Sequence, residues 1–356
     1  MRKFGLLFFA SLIIGTGIFL FLSSNNKLEI TQLAQVNNQA TVKNENADLP
    51  PQEQLENPPE IIKAIYSTGW SAGSAKKIDS FINLIKRTEL NAIVIDIKDY
   101  SGNISYHTDL PLLKKYNAEN EIKILKPNAL IKKLHDNNIY VIARQTIFQD
   151  PILATARPDL ALTSSTTKKQ WKDSKGLMWI DPAAQDAWDY NIAIAKDALN
   201  RGFDEINFDY IRFASDGNLN EIKFPFWNGK TPRNKIIKSF LKYVRQEMPS
   251  AKISADLFGL VTLNYDDLGI GQTIEDVYNY IDAIAPMVYP SHYASGFNNY
   301  KNPALYPYEV VYKSMLEANK RLKSYMIKAE NSTSTEEYII KKPQLRPWLQ
   351  DFDLGA

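Results

Sequence analysis

Residues 205–213 read Glu205-Ile206-Asn207-Phe208-Asp209-Tyr210-Ile211-Arg212-Phe213. In a strand successive side chains point to opposite faces, so Glu205, Asn207 and Asp209 share one face while Phe208 and Tyr210 share the other. A strand that is apolar on one face and acidic on the other fits a sheet whose outer face is covered by helices and whose inner face lines a polar interior. Asp209 is then expected to point inward, near the mouth of that interior.

The flanking sequence repeats the theme. Short runs rich in Val, Ile, Tyr and Phe are expected as strands at Ile61–Ser67, Ala92–Lys98, Tyr140–Phe148, Glu205–Phe213, Lys252–Phe258, Ala283–Tyr289 and Leu345–Phe352, as suits strands buried on both faces. Amphipathic stretches alternate with them. One spans about Ala75–Thr88, with Ile78, Phe81, Ile82 and Ile85 on one face. Another covers about 183–201, with Asp181 expected as its N-cap, Pro182 in its first turn and Gly202 as its stop. Others are expected near 128–136, 232–247, 273–280 and 309–323. The alternation predicts an α/β fold, a (β/α)₈ TIM barrel of residues 61–356 that lacks its last βα repeat. Such an open barrel would leave two unpaired strand edges.

Catalytic groups in barrels of this kind sit at the C-terminal ends of the strands. Asp96, Lys98, Arg144, Asn207, Asp209, Arg212, Asp256, Tyr289, His292 and Asp351 fall at such positions. Asp209 and Asp256 end adjacent strands, and two carboxyls across a groove are what glycosidic cleavage needs: one protonates the leaving oxygen, the other attacks the anomeric carbon or activates water. Each also has a structural reading. Asp209 could pair with Arg144 or Arg212, Asp256 could serve as a hydrogen-bonded support, and Asp96 could neutralise Lys98 on a shared strand face. Trp171, Trp179 and Trp227 offer faces for sugar rings or for loop packing.

Composition removes other chemistries. The chain has 356 residues and no cysteine, with 42 Lys+Arg against 40 Asp+Glu for a formal charge of +2. Thiol catalysis, thiolate metal sites and disulfides are excluded, and the charge gives no field for nucleic acid. His107, His135 and His292 stand apart, without metal-ligand spacing, and no phosphate-binding glycine motif occurs. No metal or organic cofactor is implied.

Arg2 and Lys3 precede an uncharged, apolar stretch over residues 4–22, close to the roughly 20 residues a membrane-spanning helix needs. It reads as a transmembrane anchor, with a cleaved signal peptide as the alternative. Basic residues stay in the cytoplasm, so the remainder is expected outside it, anchored or secreted. Residues 23–60, rich in Asn, Gln and Pro and lacking aromatics, are expected to be a disordered linker.

The runs Ala92–Asp99, Tyr140–Arg144, Phe148–Pro151, Trp179–Pro182, Trp188–Asn191, Gly202–Phe213, Ala285–Tyr293 and Arg346–Asp351 together resemble, in collinear order, a bacterial family of glycosyl hydrolase domains related to TIM-barrel glycoside hydrolases. The resemblance implies the barrel, and it implies an Asp ending the fourth strand as nucleophile, here Asp209. The leading expectation is an extracytoplasmic glycoside hydrolase acting on a polysaccharide or oligosaccharide. In it Asp209 is nucleophile or base and Asp256 acid/base, while Arg144, Arg212, Tyr289 and His292 position the sugar or tune the carboxylates. The competing expectations are a non-catalytic carbohydrate-binding or envelope-associated protein, and a lyase using Lys98 as a Schiff base.

Overall fold

The computed structural model describes residues 47–330 and 343–352. Its centre is a parallel sheet of β1 (Ala64–Ser67), β2 (Ala92–Lys98), β3 (Tyr140–Thr146), β4 (Glu205–Asp209), β5 (Ile253–Phe258) and β6 (Ala283–Val288). Two short pieces, β7 (Gln344–Leu345) and β8 (Trp348–Leu349), both pair with β6. The strands follow one another around the sheet in chain order, the sequential winding of a βα barrel. Among the described residues β8 does not pair with β1, so the sheet is a partial barrel.

Alternation along the strands separates two apolar layers. Outward residues such as Ile93, Ile95, Val141, Ala143, Ile206, Phe208, Ile253 and Ala255 belong to the large core beneath the helices α1 (Ala75–Lys86), α2 (Pro127–His135), α3 (Gln185–Arg201) and α4 (Arg233–Glu247). Phe240 of α4 is a keystone of this layer, meeting Phe148, Phe208 and Trp188 at centroid distances of 5.2, 6.1 and 5.8 Å. Inward residues Ala92, Val94, Tyr140 and Ile142 form a separate cluster with Leu55, Ile62, Ala64 and Trp348. The interior is thus filled by side chains, apolar at the N-terminal ends of β1–β3 and polar above and at the base of β4, where Glu205 is buried.

Several expected boundaries move for identifiable reasons. The strand expected through Phe213 ends at Asp209 because Tyr210 takes a left-handed backbone, φ 53°. The last expected strand is split at Arg346-Pro347, since proline has no N–H for the ladder. Asp181 does not cap α3, whose N-cap is Ala184 without a side-chain bond. It accepts instead from the backbone N–H groups of Ala183, Phe226 and Trp227, tying two loops together.

The segment from Asp48 to Glu60 is not the tether that composition suggests. It packs as a strap: the N–H of Gln52 donates to the Arg201 carbonyl at 3.1 Å, Gln54 Nε2 to the Phe203 carbonyl at 2.9 Å, and the N–H of Leu55 to Asp204 Oδ1 at 2.6 Å. Gly202 makes this approach possible, because it ends α3 at φ 105° and a Cβ there would lie 2.5 Å from the Gln52 carbonyl oxygen. The partial barrel's seam is bridged by side chains: Gln344 Nε2 donates to the Glu60 carbonyl at 3.0 Å, and Trp348 meets Tyr66 edge to face at 6.0 Å. Among the described residues no helix is long and apolar enough to cross a membrane. The apolar stretch at 4–22 and the remainder of the expected linker lie outside them.

Candidate active site

Three inward carboxylates from neighbouring strands converge on one guanidinium. Arg144 on β3 donates through Nη1 to Asp96 of β2 at 2.6 Å, through Nη2 to Asp209 of β4, and through Nε to Asp256 of β5 at 3.4 Å. The β2–β3 register places Asp96 beside Arg144, and the β3–β4 register places Asp209 two residues further along. Period-two alternation therefore puts these groups together, and Arg144 is the pairing partner of Asp209.

One guanidinium cannot neutralise three carboxylates, and all three are buried. Charge removed from water is costly, so the cluster favours a proton on a carboxyl. Burial pushes Asp256, 1% exposed, from the usual 3.8 up to about 7, with the charge of Asp209 adding to the rise and Arg144 opposing it. Asp256 Oδ1 is fixed by two donors, Asn207 Nδ2 at 2.9 Å and Trp348 Nε1 at 2.7 Å. Burial likewise raises Asp96, against Arg144 and the hydroxyl of Tyr66, which donates to it. Burial works against the charge of Arg144, but Asp209, Asp96 and Asp256 outweigh it and hold Arg144 well above its ordinary value.

Beneath this cluster the interior stays polar and satisfied. Asn207 Nδ2 also donates to Ser254 Oγ at 3.0 Å, Ser254 Oγ donates to Glu205, and Glu205 is held by Arg346. The two ends of the same strand face thus carry separate ion pairs, Arg144–Asp209 at the mouth and Arg346–Glu205 at the base.

Lys98 is not in this site. The register slips between Asp96 and Lys98, and the bulge turns Lys98 to the helix side of the sheet. There Nζ meets Asp150 at 2.6 Å, Asn191 Oδ1 of α3 at 2.8 Å and the Thr146 carbonyl at 2.9 Å, all buried. The expected shared face with Asp96 is lost for that reason. Arg212 stands past the end of β4, held over Trp179, Tyr210 and Phe258. Tyr289 ends β6, and burial, with Asp256 and Asp209 nearby, raises its hydroxyl. His292 is exposed and packs edge to face on Tyr289 at 5.4 Å. Asp351 is exposed and lines a different cleft of about 730 Å³ with Pro290, Tyr308 and Tyr312.

The tryptophans after β3 and β4 are taken up by loop packing. Trp171 and Trp179 are buried, their indole N–H groups bonded to the Asn218 carbonyl and to Asp173, and Trp227 packs on Phe213 and Phe224. The aromatic residues that do touch the carboxylates, Tyr66 and Trp348, carry no local sequence signal. Tyr66 lies on β1 opposite Val94, two residues short of Asp96 on the same face of β2, whereas Trp348 reaches Asp256 from β8 across β6. Among the described residues no group of three or more His, Asp or Glu is arranged to hold a metal ion.

Comparison with known proteins places this geometry. A hypothetical protein from Ruminiclostridium thermocellum ATCC 27405 is similar at 38% identity, over 58% of this chain and 98% of that one, with a TM-score of 0.50. The PgaB (BpsB) glycoside hydrolase domain from Bordetella bronchiseptica shares the fold at 11% identity, over 81% of this chain and 94% of that one, with a TM-score of 0.53. No curated protein matches the chain. The family model described as "Putative glycosyl hydrolase domain" matches residues 64–356, and the chain belongs to that family.

Proposed function

We propose that this protein is a glycoside hydrolase that cleaves a polysaccharide or oligosaccharide outside the cytoplasm. The observation that carries the reading is the pair of carboxyls on Arg144: Asp209, ion-paired to it, and Asp256, pushed up to about 7. Two carboxyls with environments that differ in this way divide acid from base at neutral pH. Asp256 gives its proton to the leaving oxygen. Asp209 attacks the anomeric carbon or takes a proton from the attacking water, and Arg144 holds both in place. Tyr289 and Arg212 at the rim position the sugar.

The apolar stretch at 4–22 supports an anchor, or a cleaved signal, that leaves the domain outside the membrane. The test is release of reducing ends from a panel of polysaccharides by the wild type and by Asp209→Asn. The variant is expected to lose turnover by roughly three orders of magnitude while staying folded. Full activity in the variant overturns the assignment.

A second reading, a carbohydrate-binding protein without turnover, draws on the same contacts, because Arg144 already occupies all three carboxylates. Polysaccharide retained on a column, undiminished in Asp209→Asn and with no reducing ends released, would favour it.

A further inference from the structure

Buried and half-buried guanidinium groups in this fold meet carboxylates: Arg144 with Asp96, Asp209 and Asp256, Arg201 with Asp197, Arg245 with Asp282, Arg321 with Glu275, and Arg346 with Glu205. Two other half-buried guanidinium groups do not: Arg233 is held by the Gly269 carbonyl, and the second is Arg212, which stands just past the end of β4 beside the carboxylates. Its Nη1 donates to the Phe213 carbonyl at 3.1 Å and to Ser215 Oγ at 3.0 Å. The rings of Trp179, Tyr210 and Phe258 enclose it, their centroids 4.7, 5.2 and 4.9 Å from Cζ. Among the described residues no carboxylate is within ion-pair distance of it, although Asp209, Asp216 and Asp173 are near enough to favour its charge against the burial that lowers its pKa.

A guanidinium withdrawn from water without an anion is costly, and aromatic faces return only part of that cost. The walls of this cage are fixed. Trp179 is held by Asp173 at 3.0 Å, and the N–H of Phe258 donates to Gln272 at 2.9 Å. Neutralising Asp209 does not require Arg212, since Arg144 contacts that carboxylate directly. Arg212 follows Asp209 by one turn of chain, and Phe258 ends β5, so the cage opens on the same strand ends as the carboxylates.

We propose that Arg212 is the subsite for the carboxylate of an acidic sugar, so that the polymer cut by this enzyme carries uronic acid residues. The planar fork accepts a carboxylate in a geometry that a hydroxyl cannot reproduce. The substrate being a sugar rests on the hydrolase reading above; the anionic character rests on Arg212.

The test is titration of the full chain with the methyl glycosides of glucuronic, galacturonic and mannuronic acid, each against its neutral counterpart. At least one uronide is expected to bind roughly tenfold or more tightly than its counterpart. Arg212→Gln should erase that ratio, and Arg212→Lys should restore only part of it. No preference for any uronide in the wild type, a comparison that needs no variant to fold, overturns the proposal. A preference that survives Arg212→Gln does so too. The two readings fail separately: uronide preference without release of sugar from any polymer counts against the hydrolase alone, whereas release from a neutral polymer without uronide preference counts against the Arg212 subsite alone.

Discussion

The indole Nε1 of Trp348 donates to Oδ1 of Asp256 across 2.7 Å, joining the far edge of the sheet to a carboxyl on β5. This bond favours the ionised form of Asp256 and so opposes the burial that raises it. Trp348→Phe keeps the ring's packing but removes the donor. The protonated form should then persist to higher pH. In the wild type the basic limb of the pH–rate profile is expected near 7, and in Trp348→Phe it should move upward. An unchanged limb with normal turnover would separate Trp348 from the acid.

The same carboxyl links pH to stability. Its value rises from the usual 3.8 to about 7 in the folded chain, so the folded state binds the proton more tightly than the unfolded state. The stability from this group is complete below about 4 and is lost as pH rises through 7. Asp256→Asn carries no such proton. Urea midpoints of wild type and variant measured from pH 4 to 8 should therefore diverge, with the wild type losing ground against Asp256→Asn as pH rises. Parallel curves would mean that Asp256 is ionised throughout, as a simple ion-pair partner of Arg144.

Lys98 should matter to the fold and not to the chemistry. It is fully buried against Asp150, also fully buried, and burial lowers its pKa against the pull of Asp150. Lys98→Met leaves the Asp150 carboxylate alone in the core, a loss of about 3–5 kcal/mol. Adding Asp150→Asn should recover part of it, because the stranded charge is gone. Chemical denaturation of the two variants measures this, and borohydride should trap no imine on the wild type. A Lys98→Met variant that melts like the wild type would show that the bulge places Lys98 elsewhere.

The central strands and the core of the site were readable because both follow from a period of two. Ala92–Lys98 carries β-branched residues buried on both faces, and Asp96, Arg144, Asn207, Asp209 and Asp256 fall on inward positions of adjacent strands. Alternation fails where the backbone departs from it. The bulge beside Asp96 reversed the placement of Lys98, and the left-handed turn at Tyr210 carried Arg212 out of the strand. Glu205 carries a signal of its own: an acidic residue on the inner face at the base of a strand needs a cation, and Arg346 supplies it from 141 positions away. Tyr66 and Trp348 meet the carboxylates through the register of β1 on β2 and of β8 on β6, which no local pattern encodes.

The strap from Asp48 to Glu60 was invisible for a different reason: it attaches largely by hydrogen bonds to the ends of other elements. Helix α2 has Lys126 at its N-cap with no side-chain bond, so its first N–H groups need acceptors from elsewhere. Asp48 supplies them, accepting from Asn128 at 2.9 Å and Ala129 at 3.0 Å, and its charge also suits the positive end of the helix. Loss of a cap of this kind costs about 0.5–2 kcal/mol. Asp48→Ala is expected to lower the urea midpoint accordingly, and Asp48→Asn, which keeps one acceptor oxygen, by less. Because Asp48 bonds to the N–H groups of α2 and to none of Asp96, Arg144, Asp209 or Asp256, turnover per folded molecule should be unchanged. A variant as stable as the wild type would mean that the strap is carried by Leu55 and the Gln52 and Gln54 bonds alone, and removing those three contacts together should then unseat it.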